Sequence, residues 1–382
     1  MKKHLFLIIF GLCLGFFASL GLDRVLGIVL NSTGYFMAMT PNLNELHDMS
    51  EYTITAKISS QGIRNKEVTL PKPANTYRIL ALGDSFTFGE GVNQDEAWPQ
   101  MLEKELNGLE KEKKIEVVNA GKPGASPTDI RQICRAYVDR FGIDSIVYAM
   151  FADDLNQAAA KQQESDTFLF KIESIWPTLS RLNMKTIGFT RYIDKPDPGD
   201  TVRMSTDNRK KVENLLHRDP SVLIHMQSEF RKDFIEGKIN PAVIINAVRT
   251  PELPVVLLNE DLRNYMLYSL DERLRLFSER CSRNLPVAVV FIPSSEMISE
   301  AYMKDKEGLG FKVRPELTKI SLDTDLAEIM KKYSFHFVSA LSSFRQDACL
   351  DCYYAYDGHL TPLGQKRLLA VLLPFVREQL LK

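Results

Sequence analysis

The chain carries almost no net charge: 48 lysines and arginines stand against 49 aspartates and glutamates, leaving −1 at neutral pH. The global basic field that marks a nucleic-acid binder is therefore excluded. Cysteine is scarce, with five in 382 residues. Only Cys349 and Cys352 have metal or redox spacing, and no second pair or histidine-rich cluster joins them, so a zinc site finds no support. There is no Gly-Lys-Ser/Thr phosphate loop and no dinucleotide glycine fingerprint, and no cofactor is expected. Internal repeats are lacking as well. The 45% hydrophobic and 25% charged residues are ordinary globular values.

Long hydrophobic runs are almost lacking. The exception is residues 5–22, preceded by Lys2 and Lys3 and closed by Asp23 and Arg24. Such a run is a secretory signal or a single membrane anchor. Its length favours an uncleaved anchor over residues 1–22, although Ser19-Leu20-Gly21 offers a peptidase two small residues. The flanking lysines keep the N-terminus in the cytoplasm, which puts the rest outside the inner membrane. Cleavage would leave a secreted or periplasmic protein instead. No small residue immediately precedes Cys13, which argues against lipidation. An exported chain meets an oxidising compartment, so Cys349 and Cys352 could close a local disulfide, with unpaired thiols as the alternative.

Residues 23–75 read as a stalk and lead-in, with breakers at Asn31-Ser32-Thr33-Gly34 and Thr40-Pro41-Asn42. The domain proper runs from 76 to 382. Short apolar runs predict strands at 77–82, 115–118, 145–151, 287–292 and 335–341. Helical spacing predicts helices over 96–111 and 127–141, the latter opened by Ser126-Pro127 and closed by Gly142. A long helix over 259–283 and a final helix from Thr361-Pro362 complete the rhythm. Alternating strands and helices imply an α/β domain with a mostly parallel sheet covered on both faces. Ligands then sit at the carboxyl ends of the strands. Residues about 165–255, rich in proline, break the rhythm and read as an insertion: a lid or specificity cap, with an inert surface excursion as the alternative.

The first strand runs straight into Gly83-Asp84-Ser85, and near the C-terminus stands Asp357-Gly358-His359. A nucleophilic hydroxyl, a base and an orienting carboxylate are the parts of an acyl-transfer triad. Thr87 replaces the second glycine of the Gly-x-Ser-x-Gly elbow, so the nucleophile turn is of another kind. Gly124, Asp153 and Asp154 also follow predicted strands and converge on the same edge of the sheet. His336, His217 and His225 read as structural.

Four blocks together resemble the SGNH (GDSL-type) hydrolases. Gly83-Asp84-Ser85 is similar to the nucleophile block, and Val118 to Gly124 to the second. Ala152-Asp153-Asp154-Leu155 stands where the family has Gly-Asn-Asp, and Asp357-Gly358-His359 is similar to the last block. The resemblance spans about 77–154 and 285–382. It implies a flavodoxin-like three-layer sandwich. It also implies Ser85 as nucleophile, His359 as base and acid, Asp357 as its orienter, and the Ser85 and Gly124 amides as oxyanion donors. The family's third donor is an asparagine. Asp153 occupies that place, and an ionised carboxylate cannot donate. The Asp-x-His spacing, shorter than in many members, resembles the polysaccharide O-acetyltransferase branch.

The expectation is an exported serine ester hydrolase or O-acyltransferase. Its substrate would bear an ester, and location and analogy suggest an envelope or secreted polysaccharide. Asp153 keeps open a catalytically weak glycan-binding or assembly protein. The apolar surroundings of Ser85 keep open a lipid or thioester hydrolase. Hydrolase against transferase, signal cleavage and oligomeric state are not legible in the residues.

Overall fold

The computed structural model describes residues 10–11, 14–26, 39–163, 201–282 and 284–381. Strands β1 (Asn44–Asp48) and β2 (Thr53–Lys57) come first, followed by β3 (Thr76–Leu82). The short helix α1 (Ser85–Phe88) and α2 (Trp98–Leu109) lead to β4 (Lys114–Asn119). Then come α3 (Pro127–Phe141), β5 (Ser145–Phe151) and α4 (Asp153–Gln163). The next described segment holds β6 (Thr201–Arg203), α5 (Met204–Arg218), α6 (Ser228–Ile235), α7 (Pro241–Arg249) and α8 (Glu260–Phe277). The chain closes with β7 (Val287–Ile292), α9 (Ala301–Leu309), α10 (Asp323–Lys332), β8 (His336–Ser339) and α11 (Pro362–Leu380).

Five strands make one parallel sheet in the order β4-β3-β5-β7-β8. Counted along the chain this is 2-1-3-4-5, the flavodoxin-like order, whose switch point lies beside its first strand, here β3. The strands are apolar and buried because helices cover both faces. α2 and α11 pack together over one face, while α3, α4 and α8 pack together over the other. Trp98, Leu102 and Leu106 fall on one side of α2 by the helical repeat and are fully buried. Ser126 starts α3 by accepting the Asp129 amide, and Gly142 ends it in the left-handed region. The last strand is shorter than its apolar run suggests: Leu341 already belongs to a helical turn.

The lead-in is no bare stalk beyond residue 39. β1 and β2 form an antiparallel hairpin, and β6 pairs with β1 in parallel to complete a small second sheet. The inserted segment thus joins the lead-in. Its helices bury Val212, Phe230, Phe234 and Ile244 in a core of their own, against which Leu309 and Tyr356 pack. Residues 164–200, the first part of the predicted insertion, lie outside the described residues.

The reading of 1–22 as a transmembrane helix finds no support in the structure. Residues 14–26 are helical, running past Asp23 and Arg24. Among the described residues no helix is long and apolar enough to cross a membrane. Much of the apolar run, residues 1–9 and 12–13, lies outside them.

Both cysteine pairs of the domain are disulfides. Cys349–Cys352 is local, and Cys134–Cys281 joins α3 to the segment after α8 across 147 residues. Spacing suggested the first, whereas the second depends on a packing that no local pattern reveals. A crosslink closing so long a loop restricts the unfolded chain strongly. Replacing Cys134 and Cys281 together by alanine should cost about 2–4 kcal/mol. A urea titration would read the loss, and an unchanged midpoint would refute it.

Candidate active site

The nucleophile turn forms because a glycine, Gly83, directly follows β3. A Cβ on Gly83 would collide with Thr87 Oγ1 and come within 2.8 Å of the Ala149 carbonyl. Only glycine lets the chain pass so close to its neighbours. Asp84 then caps α1 by accepting the Phe86 amide at 3.0 Å, and Ser85 opens the helical turn. From the lead-in, the buried guanidinium of Arg64 holds the far side of this turn. It donates to the carbonyls of Phe88, Gly89 and Val92. The last helix reaches the same region through Gln365, which accepts from the Trp98 amide at 3.0 Å.

Ser85 Oγ and His359 Nε2 are 2.7 Å apart, and His359 Nδ1 hydrogen-bonds Asp357 Oδ1. The three residues proposed from sequence as nucleophile, base and orienter thus meet, although Ser85 and His359 are 274 positions apart. Phe86 packs beside the imidazole, with ring centroids 5.1 Å apart, and stacks on Phe151 at 4.0 Å. Burial would push the His359 imidazole down, but the adjacent Asp357 carboxylate outweighs it and raises the pKa to about 9. Burial works to raise Asp357, yet the neighbouring imidazole and the Tyr52 hydroxyl hold its carboxyl below the usual range.

The second block lies against the nucleophile turn. Ala120 donates to the Ala81 carbonyl at 2.9 Å and Lys122 to the Gly83 carbonyl at 3.1 Å. Gly124, two residues on, is exposed in the left-handed region, and a Cβ there would meet nothing within 4 Å. The Ser85 and Gly124 amides donate to no protein acceptor among the described residues. Both are therefore available to a ligand, as oxyanion donors must be.

Asp153 is tied up as an acceptor. Asn156 Nδ2 and Gln157 Nε2 each donate to one of its oxygens at 2.9 Å. Burial pushes its pKa up, and the two amides work against that. Asp154 does not cap the helix at Leu155. Its buried carboxyl turns back to the Tyr148 hydroxyl at 3.1 Å and the Phe151 amide at 3.2 Å. Burial, then the nearby Asp84, drives Asp154 well above the usual carboxylate range. Asp84 is pushed up to about 6, chiefly by burial. Three carboxyl groups thus crowd behind Ser85, and burial favours the neutral form of each.

Sequence reasoning missed the hairpin. Its tip, between β1 and β2, reaches the loop that carries Asp357 and His359. Glu51 accepts the backbone amides of Ala355, Tyr356 and Asp357 at 2.6, 3.0 and 2.8 Å. Tyr52 donates toward Asp357 Oδ2 at 3.2 Å. A carboxylate that satisfies three successive amides fixes the backbone of that loop. The one signal in the sequence was the alternation Glu45-Leu46-His47 near a breaker, too short to mark a strand. Among the described residues no group of histidine, cysteine and carboxylate side chains could hold a metal ion.

No family model and no curated protein sequence matches the chain. Solved structures do. One is a member of the lipolytic protein G-D-S-L family from Veillonella parvula, at 11% identity and TM-score 0.35, covering 78% of this chain and 97% of that one. Another is the lipase/acylhydrolase from Enterococcus faecalis, at 11% identity and TM-score 0.36, covering 80% and 97%. A third is AlinE4, an SGNH-hydrolase family esterase, at 14% identity and TM-score 0.29, covering 80% and 98%. The solved structures it is similar to are GDSL- or SGNH-type lipolytic hydrolases. At these scores the likeness decides nothing about chemistry. That rests on the side chains of this chain.

Proposed function

We propose that this chain is a serine ester hydrolase or O-acyltransferase. One observation carries the reading: Ser85 Oγ lies 2.7 Å from His359 Nε2, whose other nitrogen is bonded to Asp357. In that arrangement His359 takes the Ser85 proton as Oγ attacks an ester carbonyl. The Ser85 and Gly124 amides receive the developing oxyanion. His359 then protonates the leaving alcohol, and an acyl-serine remains. Water or a second hydroxyl, deprotonated by the same imidazole, releases the acyl group. The two activities share the first half-reaction and part only at this acceptor.

Export is part of the proposal. The apolar N-terminal run and the two disulfides support it, because disulfides persist in oxidising compartments. An acetyl ester on an envelope or secreted polysaccharide is the proposed substrate class, by analogy with the short Asp-x-His spacing.

The test is turnover of a chromogenic acetyl ester by the full chain, with and without sugar acceptors, across pH 6 to 10. His359 must be neutral to act as base, and its pKa is raised from 6.5 to about 9. The value of kcat/KM should therefore climb about tenfold per pH unit and level off above about 9. The sign for stability is opposite. A raised imidazole pKa stabilises the fold fully below pH 6.5, and this contribution fades as pH rises through about 9. Absence of turnover, together with no labelling of Ser85 by a phosphonate probe, would sink the proposal.

A further inference from the structure

Behind Asp357 lies a chain of polar side chains that the proton transfer just described does not use. The Tyr52 hydroxyl faces Asp357 Oδ2 at 3.2 Å and Glu90 Oε1 at 3.3 Å. The same Glu90 oxygen lies 2.6 Å from His47 Nδ1. His47 Nε2 faces Glu45 Oε2 at 3.3 Å. Glu45 and His47 are two apart on β1, so they share a face of the strand. His47 is 1% exposed and Glu90 7%. A buried histidine with a carboxylate at each nitrogen is unusual unless both nitrogens donate, which makes it an imidazolium.

The phenol has one hydrogen and two carboxylate oxygens within reach. Glu90 Oε1 already accepts a short, charge-assisted bond from His47, which lowers its pull on a second donor. Asp357 Oδ2 meets no imidazolium in this way, since the His359 ring binds the other oxygen of that carboxylate. We propose that Tyr52 is a positioning residue for the Asp357–His359 pair, and that His47, by occupying Glu90, directs the Tyr52 hydrogen to Asp357. The inference rests on the triad reading above. It assigns the lead-in hairpin a part in tuning the base, not only in bracing the loop.

The surroundings agree with this direction. Burial, then the charges of Asp357 and Glu90, keeps Tyr52 a protonated donor. Burial would lower His47, but Glu45 and Glu90 lift it to about 9. The other charges facing this group are Arg64, which feels both Glu90 and Glu45 while its fork is spent on backbone carbonyls, Glu51, which lies beside Asp357 and accepts its amide, and Asp84, which acts on His359. The imidazoles of His47 and His359 and the Arg64 guanidinium thus stand among the carboxylates Glu45, Glu90, Glu51 and Asp357. Removing the His47 imidazolium leaves Glu90 free to compete for the Tyr52 hydrogen.

The test follows the His359 imidazole by NMR titration of the full chain carrying nitrogen-15 histidine, in wild type, Tyr52→Phe, His47→Gln and the double variant. Activity on the chromogenic acetyl ester is measured alongside. Losing the phenol makes Asp357 more basic, so the His359 midpoint should move up, with proton affinity rising about threefold to tenfold. His47→Gln should move it in the same direction. In the Tyr52→Phe background, His47→Gln should have little further effect, because its influence passes through the phenol. In the turnover assay kcat should fall at a given pH with KM nearly unchanged. A His359 midpoint indifferent to Tyr52→Phe overturns the proposal, and so do shifts that simply add in the double variant. The titration reads the relay without turnover. An inactive wild type would therefore count against the ester reading alone, and an indifferent midpoint in an active one against the relay alone.

Discussion

Ser85→Ala should abolish ester turnover, lowering kcat by about 10⁴-fold or more while the fold stays intact. The expectation follows from the position of the hydroxyl. Ser85 Oγ is the only group of its residue within reach of His359 Nε2, and alanine removes the nucleophile without enlarging the side chain. His359→Ala should cost about as much, and the double variant no more than either, because nucleophile and base act as a unit. Circular dichroism and the unfolding midpoint serve as controls, since Ser85 opens a turn already held by Asp84, Arg64 and Gln365. Residual turnover within tenfold of wild type would mean that another group attacks, and the triad reading would fail.

The parts of this site differ in how openly the sequence displays them. β3, β5 and β7 are short apolar runs bounded by turn residues, so a local window is enough to find them. Ser85 and Gly124 become legible because a parallel sheet gathers whatever follows its strands at one edge. His359 and Asp357 carry a motif of their own. The hairpin has none. Tyr52 meets Asp357 across 305 positions, and Glu51 meets the neighbouring amides across a similar span. Each strand of that hairpin is five residues long, and the polar side chain of His47 is turned inward to Glu90. Inward polar residues erase the hydrophobic alternation by which a strand is recognised. The same reason hides Arg64 and Arg78, both fully buried. Arg64 spends its charge on loop carbonyls, and Arg78 pairs with Glu116 at 2.8 Å while donating to the Phe141 carbonyl. The Cys134–Cys281 pairing is hidden differently: it depends on how α8 crosses α3, and helical periodicity says nothing of the crossing.

Asp153→Asn should raise kcat rather than lower it. The carboxylate stands on the first turn of α4, where its charge interacts with that of Asp84, and the resemblance puts it in the place of an asparagine oxyanion donor. Burial raises its pKa, but the Asn156 and Gln157 amides that point into it stabilise the charged form. When charged, the Asp153 carboxylate offers a developing oxyanion no donor and repels it. Asparagine has the same shape. Its oxygen can keep the Asn156 bond, and Gln157 can turn its terminal amide to offer an oxygen to the new nitrogen, a rotation about a broad torsion. The second hydrogen on that nitrogen is then free to donate. One oxyanion donor is worth about 10²–10³ in rate when well placed. Part of that is lost to imperfect aim, so a gain of about tenfold to a hundredfold in kcat is expected, with KM little changed. The measurement is kcat for wild type and Asp153→Asn on the same acetyl ester at the same pH. An unchanged rate would remove Asp153 from the oxyanion side. A fall of tenfold or more would mean that the carboxyl group acts in its own right.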